Sequence, residues 1–278
     1  MTVLLATSSD WPTGEPGAEL LDAALAARGL DARWARWDDP SVDWARAELI
    51  AVRSTWDYVE RHGEFLDWAR TVELSTPLLN GAEVFAWNLD KAYLTRLGEL
   101  PVVPSIVLGG VAGLAEAVDR FGTAVVKPRV GAGGVGVVVA EGGQDPRLGE
   151  VTDEPLLVQP LVESIRTEGE QSVFVLDGRA VSQVRKVPGA GEIRAHEHRG
   201  ATCAPVPLDA ALADLAVRAA AAAAGLTGRP LDYLRVDLLR HDGVWCVSEL
   251  EATEPGLYLD LVPGNAERFT DLVAARLG

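Results

Sequence analysis

Apolar positions along the first 80 residues recur with two alternating periods. Apolar runs of four or five residues have the length of buried strands, and the longer runs between them repeat their apolar positions every three or four residues, as helices do. The predicted elements are a strand at 3–6, a helix at 18–28, strands at 32–36 and 49–52, and a helix at 60–74. Because alternating strands and helices are typical of a parallel sheet, we predict an N-terminal parallel α/β lobe over residues 1–80.

The rest of the chain mixes strands and helices without regular alternation, which indicates two α+β subdomains, at 81–155 and 156–278. In the first, the segment 87–91 is expected to lead into a helix. The other elements expected there are a strand at 102–108, a helix at 111–121 and a hairpin of strands at 123–127 and 135–140. The elements expected later are a strand at 155–159, a hairpin of 171–176 with 179–187, a polar loop, a helix at 208–224, and a hairpin of 233–240 with 244–251.

The composition limits the class of protein. With 278 residues, of which 48% are hydrophobic, the chain can bury a large core. The formal net charge of −16 argues against nucleic acid and against an anionic membrane as partners, because both attract cationic proteins. No apolar run approaches the roughly 18 residues of a membrane span, and the first residues lack the basic flank of a signal peptide. With two cysteines, a reducing, cytoplasmic location is expected, and the sequence leaves a homo-oligomer open.

A glycine-rich segment is the first candidate for chemistry. Four of the six residues at 131–136 are glycine, so several backbone N–H groups can approach phosphate oxygens without interference from Cβ atoms. Lys127 adds a positive charge at the base of this loop. The segment lacks the Gly-Lys-Ser/Thr ending of a P-loop and joins two strands. We interpret it as a flexible lid over phosphates, with an ordinary hairpin turn as the alternative.

Three carboxylates in otherwise apolar strands are the second candidate. Glu249 and Glu251 lie two residues apart on one predicted strand, so their side chains share a face, and the hairpin can bring Asp237 beside them. Such a cluster needs neutralising cations, and oxygen ligands select Mg²⁺ or Mn²⁺. We therefore predict a metal site, with a solvated strand face as the alternative.

The order and spacing of several motifs resemble the ATP-grasp superfamily over most of the chain. The matching segments are Asp90-Lys91, Val125-Val126-Lys127-Pro128, Leu157-Val158-Gln159-Pro160-Leu161-Val162, Gly169-Glu170, Arg235-Val236-Asp237 and Glu249-Leu250-Glu251. The segments 184–186 and 191–194 are similar to the branch of glutathione synthetase and the ribosomal-protein glutamate ligases. The segments 53–58 and 254–259 are most similar to the cyclo-ligases that act on O-ureido-D-serine in D-cycloserine biosynthesis. The resemblance implies an ATP-grasp fold, in which the two α+β subdomains grip ATP.

The resemblance implies specific roles in ATP binding. Lys91 and Lys127 are expected to contact the phosphates, and the backbones of Gln159 and Leu161 to bind adenine. The glycines expected to close over the β- and γ-phosphates are Gly131, Gly133, Gly134 and Gly136. The ribose hydroxyls are expected on one of three acids, of which the first is preferred: Glu163, Glu168 or Glu170.

The same resemblance implies the metal, catalytic and substrate residues. The ligands expected to hold two Mg²⁺ (or Mn²⁺) ions are Asp237, Glu249 and Glu251. The side chains expected to stabilise the transferred phosphoryl group and the acyl phosphate are Arg185, Lys186 and Arg194. Because neighbouring residues on a strand face opposite sides, one of Arg185 and Lys186 faces away from the site, and Arg185 is preferred for the site. The residues expected to contact the substrate are Asp10, Arg53, Ser54, Thr55, Trp56 and Asp57.

Two positions depart from the pattern of the superfamily. Glu251 stands where Asn is usual, and because it keeps an oxygen ligand, metal binding is expected to survive. Gly200-Ala201 stands where a pair of glycines is usual, which is expected to narrow the substrate loop. His196 and His198, in the same polar loop, are expected to be exposed rather than catalytic.

Together these features predict an ATP-dependent carboxylate–amine ligase. It would phosphorylate the carboxylate of a small amino-acid-like substrate and join the acyl phosphate to a nitrogen, with release of ADP and phosphate. An intramolecular cyclo-ligase ranks just below ligation of two molecules, because Ala201 lies in the expected substrate loop. Two further alternatives are a small-molecule kinase, which would release ADP alone, and a regulatory module that binds ATP without turnover. The latter is disfavoured because all the expected lysines and carboxylates are present.

Overall fold

The computed structural model describes residues 1–278 except for the side chain of His198, so the expectation for that side chain lies outside the described residues. The strands are β1 (Thr2–Thr7), β2 (Asp31–Arg36), β3 (Leu49–Ser54), β4 (Ile106–Leu108), β5 (Thr123–Pro128), β6 (Val138–Glu141), β7 (Leu156–Pro160), β8 (Glu170–Leu176), β9 (Arg179–Val187), β10 (Thr202–Val206), β11 (Tyr233–His241) and β12 (Val244–Glu251). The α-helices are α1 (Ala18–Ala27), α2 (His62–Glu73), α3 (Ala82–Leu89), α4 (Leu114–Phe121), α5 (Ser164–Thr167), α6 (Ala210–Thr227) and α7 (Gly264–Leu277). Short 3₁₀ helices lie at Trp44–Arg46, Trp56–Glu60, Lys91–Arg96, Pro146–Glu150 and Glu197–Arg199.

The first sheet is parallel, with the strand order β2-β1-β3, which confirms the fold predicted for the N-terminal lobe. Alternate residues of its strands enter two different cores, as the two-residue period of a strand requires. Val3 and Leu5 pack with α1 and with Phe269 of α7, whereas Leu4 and Ala6 pack with α2 and α3. The lobe therefore has three layers, and one of them contains α7, a helix for which no expectation was formed from the sequence.

The second sheet is antiparallel, with the order β4-β7-β5-β6, and α4 packs on it through Leu114 and Val118. Strands β5 and β6 form the predicted hairpin around the glycine-rich segment. Strand β7 is hydrogen-bonded to both β4 and β5, so the boundary expected at residue 155 separates it from its own sheet. Apolar residues in a short strand do not identify its partners, and we place the boundary after Pro160.

The third sheet is antiparallel, with the order β10-β9-β8-β11-β12, and contains both predicted hairpins of the C-terminal region. Helix α6 covers one face, where Ala216, Ala219 and Ala223 are fully buried. Their short side chains allow the helix to lie close to the sheet, so that its interior is densely packed. The opposite face of this sheet carries charged side chains and faces the second sheet across a cleft.

Helix α6 is the one helix among the described residues that is long and apolar enough to cross a membrane, by length and composition alone. The expectation that no apolar run approaches this length is therefore wrong. The helix packs on the third sheet through Leu212 and Leu215 as well as the alanines, and its Asp214 and Arg218 form an exposed ion pair. The helix buries one face, which amounts to 33% of its length, and a single helix of this kind is weak evidence for a membrane span.

Two local predictions also differ from the structure. The segment 87–91 leads into a helix, as expected, but that helix, at Lys91–Arg96, is 3₁₀, and the segment also contains the end of α3 at Leu89. The extended Asp90 caps the 3₁₀ helix by accepting a hydrogen bond from the Ala92 N–H at 3.0 Å. Strand β10, which pairs with β9, occupies part of the segment that was interpreted as a polar loop. Three of its five residues are exposed and one is a proline, so the segment gave no alternating apolar signal of a strand.

Candidate active site

A main cleft lies between the second and third sheets. Side chains from both sheets line it, together with the glycine loop, which we define as residues 131–136 and of which all but the predicted Gly136 belong to the lining. The sequence-predicted residues that line it are Lys91, Lys127, Gly131, Gly133, Gly134, Gln159, Leu161, Glu170, Lys186, Arg194, Asp237, Glu249 and Glu251. Segments far apart in sequence thus converge on one cleft.

The third sheet presents a charged face to the main cleft because its strand register aligns ionisable residues. Asp237 of β11 lies directly opposite Glu249 of β12, and Arg235 lies opposite Glu251. Strand β9 adds Lys186, paired in register with Glu170 of β8. Alternate positions of these strands, such as Val236 and Leu238, face α6 and are fully buried in the apolar core.

Cations inside the chain neutralise these carboxylates. Asp237 accepts hydrogen bonds from Arg235 Nε at 2.9 Å and Nη2 at 2.8 Å, from Ser172 Oγ at 2.6 Å and from Lys186 Nζ at 3.2 Å. Arg235 also pairs with Glu251, and Lys186 with Glu170. Burial would raise the pKa of Asp237, but Arg235 and Lys186 hold it well below its usual value. Asp237 is therefore ionised at neutral pH.

Glu249 and Glu251 differ in their electrostatic surroundings. Burial would raise the pKa of Glu249, but Lys91, 3.1 Å away, and Lys127 lower it. For Glu251, burial together with repulsion from Asp237 and Glu249 outweighs Arg235 and raises the pKa to about 7. Among the described residues, no group of three or more His, Cys, Asp or Glu side chains stands ready to hold a metal ion. The three predicted ligands nevertheless share one face and supply only oxygen atoms.

Two lysines border the glycine loop. Lys91 is largely buried, pairs with Glu249 and donates a hydrogen bond to the carbonyl of Gly131. Lys127, at the end of β5, forms no ion pair within the part of the chain that the structure describes. Burial and the neighbouring Lys91 lower the pKa of Lys127 below its usual value, in spite of the attraction of Glu249. A bound anion would raise the pKa of Lys127 again. Because Lys91 is already paired with Glu249, Lys127 is the lysine more available to a ligand.

The glycine loop is held by arginines from the opposite side of the main cleft. Arg194 Nη1 donates to the Gly134 carbonyl at 3.3 Å, and Arg199 Nε donates to the Gly133 carbonyl at 3.2 Å. A Cβ atom at Gly134, where φ is +66°, would lie 2.6 Å from Arg194 Cδ. Arg194, expected to be catalytic, also forms an ion pair with Glu192. The arrangement closes the loop over the cleft, and Arg194 is part of the closure.

The end of the main cleft near β7 is more apolar. Gln159 is buried, and its Nε2 donates to Ser105 Oγ at 2.9 Å. The Leu161 N–H donates to the Thr123 carbonyl at 2.9 Å, so it is committed within the chain. The predicted contact between the Leu161 backbone and adenine therefore stays a prediction for its carbonyl alone. Its carbonyl and side chain can still contact a ligand, since Leu161 lines the cleft.

The acid preferred for the ribose is not in the main cleft. Glu163 is mostly exposed and pairs with Arg166, because it begins the short helix α5 on the surface. Glu168 pairs with Arg240, also outside the cleft. Of the three acids, Glu170 alone lines the cleft, where it is held by Lys186. Burial raises the pKa of Glu170 in spite of that lysine.

The preference for Arg185 over Lys186 is also corrected. Arg185 Nε donates to the carbonyl of Glu168 at 2.6 Å and lies outside the main cleft. Lys186 is buried on the charged face and borders Asp237. The two residues do face opposite sides of β9, as expected, but Lys186 and not Arg185 faces the cleft. The neighbouring strands decide which side of β9 faces the cleft, and the sequence of β9 alone does not show it.

A side cavity adjoins the main cleft and lies between the N-terminal lobe and the third sheet. Its volume of about 620 Å³ is within the range of roughly 300–1,000 Å³ typical of small-molecule sites. Asp10, Trp56 and Asp57 line it, as expected for substrate residues. Among the side chains that line both the main cleft and the side cavity, four are acidic or are lysine or arginine, and we call these four the shared wall: Lys186, Arg235, Glu251 and Glu254.

Arg53, Ser54 and Thr55 do not line the side cavity and are completely buried beneath it. They were expected to contact the substrate because they follow a strand of a parallel sheet. Arg53 instead donates to Glu15 Oε1 at 3.1 Å and to the Pro255 carbonyl at 2.7 Å. The arginine therefore binds another part of the chain, and its predicted contact with the substrate is wrong.

Several lining residues were not singled out from the sequence. Arg235 belongs to one of the superfamily motifs, but no role was predicted for it. Its position two residues before Asp237 places both side chains on one face of the strand. Glu254 and Tyr58 lie in the segments 254–259 and 53–58, for which the sequence indicated a resemblance. The side chains of Glu254 and Tyr58 come together only through the tertiary contact between the N-terminal lobe and the third sheet. His196 lines both cavities and is only partly exposed, contrary to expectation.

Comparison with known proteins identifies the class. Residues 111–259 match the RimK-like ATP-grasp domain, and residues 3–80 match the N-terminal domain of D-cycloserine synthetase DcsG. The chain therefore belongs to the RimK-like ATP-grasp family, and it is an ATP-dependent ligase that forms C–N bonds. ATP and Mg²⁺ are the cofactors of this family.

The individual relatives agree with this assignment. The chain is 32% identical to the cycloserine biosynthesis protein DcsG of Streptomyces lavendulae over 93% of this chain and 92% of that protein. It is 28% identical to the glutathione synthetase of Prochlorococcus marinus over 70% of this chain and 62% of that protein. The crystal structure of D-cycloserine synthetase DcsG matches with a TM-score of 0.87, 27% identity and complete coverage of both chains. The D-alanine–D-alanine ligase of Bacillus anthracis shares the fold, with a TM-score of 0.73, 18% identity and coverage of 100% and 97%.

Proposed function

We propose that this ligase is a cyclo-ligase, which closes a ring within one amino-acid derivative that carries both the carboxylate and the attacking nitrogen. The observation that carries the proposal is the shared wall, at which the cleft lined by the predicted ATP-binding residues meets an adjoining cavity of small-molecule size. The lobe that forms the other side of this cavity matches the N-terminal domain of D-cycloserine synthetase. O-ureido-D-serine, or a close analogue, is the proposed substrate.

The proposed reaction has two steps. A carboxylate oxygen of the substrate attacks the γ-phosphorus of ATP, the bond from that phosphorus to ADP breaks, and an acyl phosphate forms. A nitrogen of the same molecule then attacks the acyl carbon, phosphate leaves, and the nitrogen loses a proton. Because the two reacting groups belong to one molecule, they are held close together without a second binding site.

Residues of the shared wall and of the glycine loop have the proposed catalytic roles. Lys186 and Arg235 face the place where the two cavities meet and would stabilise the negative charge that develops on the phosphoryl and carbonyl oxygens. Lys91 and Lys127 would hold the ATP phosphates. The closed glycine loop, which Arg194 and Arg199 hold, would keep water away from the acyl phosphate.

The residues present fit Mg²⁺ by the chemistry of their donor atoms. Asp237, Glu249 and Glu251 are carboxylates on one face of the sheet, and Mg²⁺ is usually bound by one or two protein carboxylates with the substrate phosphates completing its ligands. This agrees with a set of carboxylates that does not by itself form a ready metal site. We propose that these three residues hold two ions, which would neutralise the phosphate charges.

A cytoplasmic location remains a prediction.

The test is ATP turnover with single compounds and with pairs. Purified protein, ATP and Mg²⁺ are incubated with O-ureido-D-serine alone, with other amino acids alone, and with pairs of amino acids, while ADP, phosphate and product mass are measured. Turnover with one compound, equal release of ADP and phosphate, and a product that has lost the elements of water support cyclisation. A strict need for two compounds would establish ligation between molecules, and ADP release without phosphate would establish a kinase.

A further inference from the structure

We infer that Glu254 binds the α-ammonium group of the substrate, so that the enzyme is specific for α-amino acids over the corresponding α-hydroxy acids. The inference rests on the proposed function, because it concerns the same cavity. Glu254 lies on the shared wall, beside the place where the carboxylate would be phosphorylated.

The first argument is that Glu254 is a buried carboxylate without a cationic partner among the described residues. The residue is 6% exposed, and its side chain accepts a hydrogen bond from the Tyr58 hydroxyl. The neighbouring acid Glu251, by contrast, is paired with Arg235. Burial and repulsion from Glu251 raise the pKa of Glu254 to about 8. A carboxylate removed from water needs a compensating charge, and an ammonium group in the side cavity would supply it.

The second argument is the rigidity of the segment that carries Glu254. Trp56 Nε1 donates to the Glu254 carbonyl at 3.1 Å, and Arg53 donates to the next carbonyl, that of Pro255, at 2.7 Å. Glu15 Oε2 accepts hydrogen bonds from the backbone N–H groups of Leu257 and Tyr258, at 2.6 and 3.0 Å. The three side chains in these hydrogen bonds, those of Trp56, Arg53 and Glu15, belong to the N-terminal lobe. The lobe therefore fixes the backbone of the segment that carries Glu254. Binding groups held in this way lose little entropy when a ligand arrives.

The third argument is the distribution of charge around Glu254. Lys186 and Arg235 are the two lysine or arginine residues that line the side cavity, and both belong to the shared wall. The acids elsewhere in its lining are Asp10, Glu15, Asp57, Glu60, Glu197 and Asp260. A molecule with a carboxylate and an ammonium on one carbon atom matches a wall where cations and Glu254 are neighbours. A hydroxy acid would lack the ammonium and leave Glu254 unpaired.

The test measures binding instead of turnover. Isothermal titration calorimetry, with Mg²⁺ and a non-hydrolysable ATP analogue present, compares each enantiomer of O-ureidoserine with its α-hydroxy counterpart. Since a charge-assisted hydrogen bond contributes about 1.5–3 kcal/mol, we expect one enantiomer of the amino compound to bind about 10–150-fold more tightly than the hydroxy compound. Glu254→Gln, which keeps the shape of the side chain, should reduce this ratio to about threefold or less by weakening the amino compound alone.

Two further variants make the result decisive. Glu99→Gln neutralises an exposed glutamate away from both cavities and should keep the wild-type ratio. Glu254→Asp retains the charge with a shorter side chain, so it should keep a preference for the amino compound with lower affinity. Unchanged affinity for the ATP analogue in each variant excludes a general loss of folding.

The inference is overturned if the wild-type protein binds the amino and hydroxy compounds equally or binds neither enantiomer of O-ureidoserine. It is also overturned if Glu254→Gln weakens both compounds by the same factor, which would indicate a structural role. These outcomes are separable from a failure of the proposed function. Binding with the expected preference, but turnover only with two compounds, would reject cyclisation and leave the role of Glu254 standing.

Discussion

The buried ion pair of Arg53 and Glu15 leads to a prediction about stability. Arg53→Met removes a guanidinium that donates to Glu15 and to the Pro255 carbonyl, and leaves Glu15 as an unpaired carboxylate that is 5% exposed. The methionine can replace the apolar contact of Arg53 with the ring of Phe269. Because loss of one partner of a buried pair costs about 3–5 kcal/mol, we expect the free energy of unfolding at pH 7 to fall by about 4 kcal/mol.

The reciprocal change should be milder. In Glu15→Gln, Arg53 retains the Pro255 carbonyl and its position 4.8 Å from the centre of the Phe269 ring, so we expect a loss of about 2 kcal/mol. In the double variant no buried charge is left without its partner. The two changes together should therefore cost about 2 kcal/mol less than the sum of the single changes.

Urea unfolding followed by tryptophan fluorescence measures this cycle, because most of the eight tryptophans lie in the N-terminal lobe. The control is Arg28→Met, which breaks an exposed ion pair with Asp271 between α1 and α7 and should cost less than about 1 kcal/mol. The reasoning is refuted if Arg53→Met costs no more than this control, or if the two changes are additive. Wild-type stability combined with a raised substrate KM would show that Arg53 contacts the substrate after all.

Three more predictions concern the main cleft and the shared wall. Lys127→Ala should weaken ATP binding at least about tenfold without loss of the fold; wild-type affinity in calorimetry would contradict its role. Glu249→Gln should lower turnover by orders of magnitude and Glu251→Asn less, and activity that survives a chelator would argue against the metal site. Between pH 4.5 and about 8 the carboxyl of Glu254 ionises in the unfolded chain but stays protonated in the folded, ligand-free protein, so stability should fall as pH rises through this window. Glu254→Gln should remove this dependence and be more stable at pH 7 by about 3 kcal/mol, as measured by urea unfolding over a pH series.

Local periodicity was sufficient to predict most of the elements and part of the cleft. The alternation in β11 and β12 put Glu249 and Glu251 on one face, and the hairpin brought Asp237 opposite Glu249, as expected. The glycine loop likewise followed from its position between β5 and β6. Such predictions succeed because they depend on residues within a single hairpin.

Predictions that depended on contacts between lobes were less successful. Arg53 lies near the carboxyl end of a strand of a parallel sheet, where ligands often bind, but its contacts with Glu15 and with Pro255, 202 positions later in the chain, decide its burial. The choice between Arg185 and Lys186 required the pairing of β8 with β11, since that pairing brings Asp237 to the side of Lys186. Neither contact is visible in the periodicity of one segment.

Helix α7 has a consequence for the order of folding during synthesis. Phe269, Leu272 and Val273 belong to the same core as Val3 and Leu21, although more than two hundred residues separate them in sequence. Helix α1 covers part of that face, but the cover stays incomplete until α7 has left the ribosome. Contacts at such a separation form slowly because a long loop must first close. The lobe that is synthesised before the two ATP-grasp subdomains is therefore among the last to complete its core, and its apolar sheet face stays partly exposed until then.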